Sequence, residues 1–190
     1  MTHLIAYLVG FLLAMCPVKN HAPPLTPGTG ETPEEVTARY EAVAQDIAAV
    51  LLDPDETPLY TGDHGRERGA LVLAALAFEE SGMRKDVDEG LCKKGDPRGD
   101  SDSCGAFTMW QIHTAGGLVL DGTGFKVLLA QPAAWQAEHT KDALHATDIL
   151  HDRKKAVRLA LHMAHVSIDN WTRGRAAKGD AQRWWAAHPF

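Results

Sequence analysis

The chain has 190 residues and a formal net charge of −6, with 45% hydrophobic and 23% charged residues. This composition is typical of a soluble globular protein and excludes a disordered chain. The length is sufficient for one domain of ordinary size with an N-terminal extension, and the net acidity argues against a dedicated nucleic-acid-binding protein.

The first feature along the chain is an apolar stretch of thirteen residues, LIAYLVGFLLAMC at 4–16. It is too short to span a bilayer comfortably but has the length of a signal-peptide core. It therefore predicts export to the periplasm, cell envelope or exterior, or a membrane tether through residues 4–16. Cys16 after LLAM also suggests a lipoprotein cleavage site. The alternative is an N-terminal helix that packs on the domain or on a partner.

A proline-rich linker and a capped helix are predicted next. Residues 17–33 hold five of the ten prolines, which is typical of a linker. Thr32 can be the N-cap of the first helix of the domain, with Pro33 at the first helical position and Glu35 in the capping-box position. Apolar residues then recur at steps of three and four, and the helix is predicted to end before residue 53.

The second predicted helix, at about 67–81, contains the eight consecutive apolar residues Leu71–Phe78. Three alanines and a single β-branched residue, Val72, favour a helix over a buried strand. Because apolar residues cover its whole circumference, we expect this helix to be buried on most sides as the central helix of the domain. Gly82 is a natural terminator.

A surface loop is predicted at 83–106. Within it, Cys92 and Cys104 bracket the segment CKKGDPRGDSDSC. In an oxidising compartment the two cysteines could close a thirteen-residue loop, worth about 3 kcal/mol on the chain-entropy estimate. The alternative is two free thiols.

The remaining elements are mostly helical. Residues 107–112, FTMWQI, are predicted to be a short strand or an irregular segment that lines a cleft. A helix is predicted within 133–151, and a longer one at 153–172 with Asp152 as its cap. A final short helix is predicted after Asp180. The chain therefore predicts a mainly helical domain with a small β element in its middle.

The C-terminal third is basic. Residues 153–190 hold eight Lys or Arg residues against Asp169 and Asp180. Such a segment could meet an anionic polymer such as a cell-wall glycan. The alternative is the solvated face of a long helix.

Two carboxyl groups, Glu79 and Glu80, follow the apolar run and lie about 100° apart around the helix axis. Leu76 and Ala77 precede Glu80 by four and three residues, so Glu80 shares a face with apolar neighbours, whereas Glu79 is expected to face water. Partial burial and the negative end of the helix dipole both favour the protonated form of a carboxyl group. Such a group can protonate a glycosidic oxygen as a general acid.

Two ordered motifs, ESG at 80–82 and TMWQI at 108–112, resemble the lysozyme-like superfamily. The resemblance is to the Slt-type lytic transglycosylases and the phage-type lysozymes, in which a helix ends in E-S-x or E-S-G and a later segment reads G-L-M-Q-I or a near variant. The apolar run before ESG and the DVD at 86–88 also look like that family. The resemblance covers about residues 67–115. Thr108 stands where the family commonly has glycine.

The resemblance implies an α+β lysozyme-like catalytic domain over residues 34–190, with a helical C-terminal lobe. Glu80 would be the catalytic acid, which later acts as a base. Gln111 would line the glycan cleft, and Met109 and Trp110 would shape its floor. Core packing is the alternative for Trp110.

The implied reaction is cleavage of the β-1,4 bond between MurNAc and GlcNAc in peptidoglycan, without a cofactor, by a bacterial or phage-encoded enzyme. A hydrolase usually needs a second carboxylate, for which Asp102 is the first candidate and Asp86 and Asp88 are others. A lytic transglycosylase can work with one glutamate, because the substrate's own N-acetyl and 6-hydroxyl groups supply the rest, and we favour it. Ser81 would support the helix end rather than react.

Other classes of function have weaker support in the sequence. A non-catalytic glycan-binding or structural protein on the same scaffold is the main alternative, with Trp135, Trp184 or Trp185 stacking on sugars. The ten histidines include His162 and His165, but no H-E-x-x-H pattern occurs, and we expect no metal site. No G-x-S-x-G elbow supports serine hydrolase chemistry, and nucleic acid is not an expected partner.

Overall fold

The computed structural model of the chain describes residues 1–18, 28, 30–91, 108–112, 114, 117–121 and 124–172. Within these residues the chain is mainly helical, as predicted, with seven α-helices and one two-stranded sheet. The helices are α1 (Thr2–Met15), α2 (Pro33–Leu51), α3 (Gly65–Ser81), α4 (Lys85–Asp88), α5 (Ala133–His139), α6 (Ala146–Leu150) and α7 (Arg153–Thr172). The strands are β1 (Leu118–Asp121) and β2 (Gly124–Val127).

One face of α1 belongs to the core. Leu4, Leu8, Leu12 and Cys16 recur every four residues, so they form one stripe along the helix, and all four are buried. The helix contacts both α2 and α3. Residues 1–16 thus adopt the packed-helix alternative in this structure, while export stays a prediction. Among the described residues, we find no helix whose length and apolar character would let it cross a membrane.

The boundaries of α2 agree with its local sequence signals. The hydroxyl of Thr32 accepts a hydrogen bond from the Glu35 amide at 3.2 Å, and the Glu35 carboxylate accepts one from the Thr32 amide at 2.7 Å. This is the predicted capping box, with Pro33 in the first turn. The apolar positions of the three- and four-residue pattern are all buried: Val36, Tyr40, Val43, Ile47 and Val50.

The helix α3 is central to the described core together with α2, because each contacts the other as well as α1 and α7. Its small residues allow close packing. A side-chain carbon placed on Gly69 would lie 3.2 Å from Cδ1 of Leu51 and 3.3 Å from Cβ of Leu59. Glycine at this position therefore lets α2 and the loop after it approach the backbone of the first half of α3.

The middle of the chain contains the predicted small β element, at β1 and β2. These strands pair antiparallel, with Leu118 opposite Val127. Residues 108–111 form turns and not a strand, which is the irregular alternative for that segment. The helix predicted within 133–151 is two short helices, α5 and α6.

The last described element, α7, spans the predicted range. The side chain of Asp152 accepts a hydrogen bond from the Lys155 amide at 3.0 Å, which is N-capping by the predicted residue. One face of the helix is buried at Val157, Ala160, Leu161 and Ala164 and partly buried at Ile168. This face packs α7 against α2 and α3.

Candidate active site

The last turn of α3 presents its two glutamates differently to solvent. Glu79 is exposed, whereas Glu80 is partly buried. Leu76 and Ala77, which share the face of Glu80, are buried. The expectation that Glu80 has apolar neighbours and that Glu79 faces water is therefore confirmed.

Ser81 and Gly82 close the helix immediately after Glu80. The Ser81 hydroxyl donates to the carbonyl oxygen of Ala77 at 2.6 Å and accepts from the amide of Met83 at 3.1 Å. Gly82 has φ +57° and donates to the Phe78 carbonyl oxygen at 2.7 Å. Ser81 is 1% exposed, and its hydroxyl already has two hydrogen-bond partners. This geometry suits a supporting role at the helix end.

A hydrogen bond attaches the second motif to α3. The indole N–H of Trp110 donates to the carbonyl oxygen of Leu73 at 2.9 Å. Leu73 precedes Glu80 by seven residues, so the two positions lie about 20° apart around the helix and about 10 Å apart along it. The structure thus brings the turn at 108–112 onto the face of α3 that ends at Glu80.

Two members of that turn are core residues. Met109 is 0% exposed and Trp110 is 5% exposed, and both belong to the main apolar cluster with Ile112. A side chain with no exposed surface cannot touch a glycan without rearrangement. Met109 and Trp110 therefore pack in the core instead of lining an open floor, and the expectation of direct substrate contact is corrected to a role in holding the turn.

Gln111 is the partly exposed member of the same turn. Its side-chain amide nitrogen donates to the Thr108 carbonyl oxygen at 3.3 Å, and its backbone amide donates to the same oxygen at 3.1 Å. Thr108 and Gln111 have φ values of +66° and +48°. This region favours glycine, and a β-branched residue is strained there. The backbone at Thr108 therefore has the conformation that suits the glycine of the family motif.

The two described candidates for a second carboxylate are buried on α4. Asp86 is 0% exposed and Asp88 is 6% exposed. The Asp88 carboxylate accepts from the guanidinium of Arg153 at 2.8 Å, and Arg153 also contacts Asp46 at 3.3 Å. Burial lowers the pKa of Arg153, but the carboxylates of Asp88 and Asp46 outweigh it and raise the pKa. Asp88 is thus engaged in an ion-pair network between α4, α7 and α2.

The first-named candidate, Asp102, lies outside the described residues, as do Cys92 and Cys104, so the disulfide stays a prediction. Trp184 and Trp185 also lie outside them. The described part of the chain has one cysteine, Cys16, and it is a buried free thiol.

The described arginines of the basic C-terminal third are paired within the domain. Arg158 donates to Glu56 at 2.6 Å and to Asp53 at 3.2 Å. The hydrogen bond to Glu56 is the main cause that raises the pKa of Arg158. Partial burial lowers this pKa, but the bond to Asp53 raises it further. Together with Arg153, Arg158 ties α7 to α2 and the following loop, which disfavours a role of these two charges in binding an anionic polymer.

Trp135 is the described candidate for sugar stacking, and its ring already has partners. The His139 ring stacks on it with centroids 3.9 Å apart and an angle of 11° between the planes. The ammonium group of Lys126 lies 5.7 Å from its centroid. A sugar that stacked on Trp135 would have to compete with these groups, so the glycan-binding alternative gains no open platform here.

The two described histidines of α7, His162 and His165, have different surroundings and are not arranged as a metal site. His165 is hydrogen-bonded through Nε2 to the Thr57 carbonyl oxygen at 3.0 Å. Burial is the main cause that lowers the pKa of His162, and the nearby charge of His165 is the second. No group of three or more His, Cys, Asp or Glu side chains in the described ranges is arranged to hold a metal ion.

One contact next to the site is not predicted by any sequence motif. The thiol of Cys16 lies 3.9 Å from the carbonyl oxygen of Gly82. Sequence reasoning assigned Cys16 to a leader, and nothing in the local pattern relates it to a residue 66 positions later. The only available signal is the i, i+4 stripe of Leu4, Leu8 and Leu12, which Cys16 continues.

Comparisons with known proteins found no matching family model, no matching curated protein and no matching solved structure. Any functional conclusion therefore depends on the chain's own motifs and on the geometry around Glu80.

Proposed function

We propose that this chain is a peptidoglycan-cleaving enzyme with a lysozyme-like fold, which acts on the MurNAc–GlcNAc β-1,4 bond through Glu80. One observation carries the proposal. Glu80 is a partly buried carboxyl group at the end of the central helix, on the face where Trp110 bonds to Leu73. Glu80 of the first motif and Trp110 of the second, 30 residues apart in sequence, are thus found on the same face of α3. The substrate lies in the cell envelope, so the proposal includes export.

The reaction is that of a lytic transglycosylase. The protonated carboxyl group of Glu80 gives its proton to the glycosidic oxygen, and the bond from this oxygen to C1 of MurNAc breaks. The 6-hydroxyl oxygen of the same sugar then bonds to C1, which produces a 1,6-anhydro end. The Glu80 carboxylate takes the hydroxyl proton and is thereby restored. No water and no cofactor are consumed.

Two features favour this chemistry over hydrolysis. A hydrolase would use a second carboxylate to position water or stabilise the sugar cation, but Asp86 and Asp88 are both buried, and Asp88 is bound to Arg153. Gln111 offers a neutral amide in the turn that Trp110 attaches to α3, with its nitrogen turned back to Thr108. Its amide oxygen is suited to accept a hydrogen bond from a sugar hydroxyl.

The decisive variant is Glu80→Gln, tested on purified peptidoglycan with Glu79→Gln as the matched control. The amide keeps the shape of the side chain but cannot donate the proton, so we expect release of muropeptides to fall by at least about 100-fold. Glu79 is exposed, and its variant should retain activity within about twofold. Circular dichroism of both variants checks the fold. Equal activity of Glu80→Gln and the wild-type protein would contradict the proposal.

Mass spectrometry of the released products separates the remaining possibilities. Ends of the 1,6-anhydro type are expected for the transglycosylase, whereas reducing ends would show a hydrolase. A wild-type protein that binds the wall but releases nothing would instead favour a non-catalytic glycan-binding protein on this scaffold.

A further inference from the structure

Three helices meet at Cys16, beside the end of α3. Its thiol lies 3.9 Å from the Gly82 carbonyl oxygen, and its own carbonyl oxygen accepts a hydrogen bond from the Tyr40 hydroxyl of α2 at 3.3 Å. Cys16 is 6% exposed and Tyr40 is fully buried, and burial raises the pKa of the Tyr40 hydroxyl. The C-terminal end of α1 therefore covers the turn that follows Glu80.

The attachment of α1 to the domain is almost purely apolar. Residues Thr2–Met15 include no Asp, Glu, Lys or Arg, so the described contacts of the helix with the domain are mainly apolar. Its docking depends on the stripe Leu4, Leu8 and Leu12, which is buried, and on the contacts of Cys16. A terminal helix held in this way can detach as a unit at a lower free-energy cost than the interior helices.

The turn beneath α1 needs such support. Gly82 and Met83 both have left-handed backbone conformations, at φ +57° and +55°, although Met83 is not a glycine. Met83 is also 0% exposed. A left-handed conformation costs free energy at a residue with a β-carbon, and the last turn of a helix frays readily. Burial of this turn under neighbouring helices therefore opposes its tendency to unwind.

We propose that α1 is a brace whose docking controls the order of the Glu80 end of α3. When α1 is docked, Cys16 covers Gly82 and the turn is held; when α1 leaves the core, through cleavage or through competition for its apolar stripe, the turn after Glu80 loosens. The site would then be complete only in a chain that keeps residues 1–16 docked, so an export route that removes this segment would leave the site incomplete. This inference goes beyond the proposed function and does not depend on it.

The test compares Leu8→Ala with Tyr7→Ala in the full chain. Leu8 is 0% exposed and Tyr7, its neighbour on the same helix, is 60% exposed. Undocking is measured by the rate at which N-ethylmaleimide labels Cys16, located by peptide mass spectrometry. Order at the turn is measured by hydrogen exchange of the amides at 78–84. We expect Leu8→Ala to raise both rates by a similar factor of at least about ten, and Tyr7→Ala to change neither by more than about twofold.

Tyr40→Phe provides a second variant that nearly keeps the side-chain volume and removes the hydroxyl that donates to the Cys16 carbonyl oxygen, and it decides the question if Leu8→Ala does not fold. We expect both rates to rise by about fivefold. Faster labelling of Cys16 with unchanged exchange at 78–84 would overturn the proposal. An equal acceleration at 156–161 of α7 would also overturn it, because α1 would then be an ordinary part of one cooperative core. Neither measurement involves catalysis, so the result is independent of whether the chain cleaves peptidoglycan.

Discussion

The two ends of α3 are both marked by glycine, but for different physical reasons. At Gly65 the surrounding space is closed: an added side-chain carbon would overlap the carbonyl oxygen of Tyr60 and lie 2.9 Å from its carbonyl carbon. At Gly82 the space is open, with nothing within 4 Å of an added carbon, and the constraint is the backbone angle of +57°. The first end is built for close packing, whereas at the second end only the direction of an added β-carbon on Gly82 is open.

Arginines complete the same contrast. At the first end, Arg66 donates to the carbonyl oxygens of Leu51, Asp53 and Glu56 at 2.7, 2.8 and 2.9 Å. It thereby binds the Leu51 carbonyl at the end of α2 and two carbonyls of the following loop. At the second end, Arg84 makes one such bond, to the Ser81 carbonyl oxygen at 3.1 Å. Among the described residues, Arg84 thus binds one carbonyl oxygen where Arg66 binds three.

The largest effect on stability is expected at the closed end. Gly65→Ala would place a methyl group against a backbone oxygen, which cannot rotate away, so we expect the free energy of unfolding to fall by about 3 kcal/mol, near the upper range for overpacking. Urea denaturation followed by circular dichroism measures the change. A loss no greater than that of the same substitution at Gly82 would show that the contrast between the two ends is wrong.

A smaller effect is expected at the open end. Gly82→Ala meets no neighbour, so its cost is only that of a β-carbon in the left-handed region, about 1 kcal/mol. The same denaturation experiment applies. Gly82→Asn is the matched control, because asparagine tolerates this region better and should lose less. Equal losses for alanine and asparagine would indicate that something other than the backbone angle determines the cost.

The smallest effect, of opposite sign, is expected at Thr108. Its φ of +66° is strained for a β-branched residue, so Thr108→Gly should raise the free energy of unfolding by up to about 1 kcal/mol, the relief of strain being partly offset by the greater entropy of unfolded glycine. Thr37→Gly, within α2, is the control and should lower it by about 0.3 kcal/mol from helix propensity. If both variants are destabilised alike, the turn at 108–112 does not store strain.

Most of the structural features that the sequence did not predict depend on contacts between residues far apart in the chain. The apolar stretch at 4–16 suits a lipid phase and a protein core equally, because both environments remove it from water. The pairing of Arg153 with Asp88 joins residues 65 positions apart, and each is an ordinary charged residue in its own segment. The left-handed angles at Thr108 and Gln111 oppose local preference, so no propensity could indicate them.

The sequence by itself determined both ends of α2, the later end of α3 and the start of α7, together with the mainly helical class and the orientation of the two glutamates. These features depend on neighbours within about four residues: the Thr32–Glu35 capping box, Asp152 before α7, Gly82 after α3 and the apolar residues one turn before Glu80. Only the tertiary structure decided that α1 packs on the domain, that Met109 and Trp110 are core residues and that Cys16 covers the end of α3. The reason is physical: a helix end is specified by hydrogen bonds to near neighbours, whereas the partner of a buried side chain depends on which elements pack together.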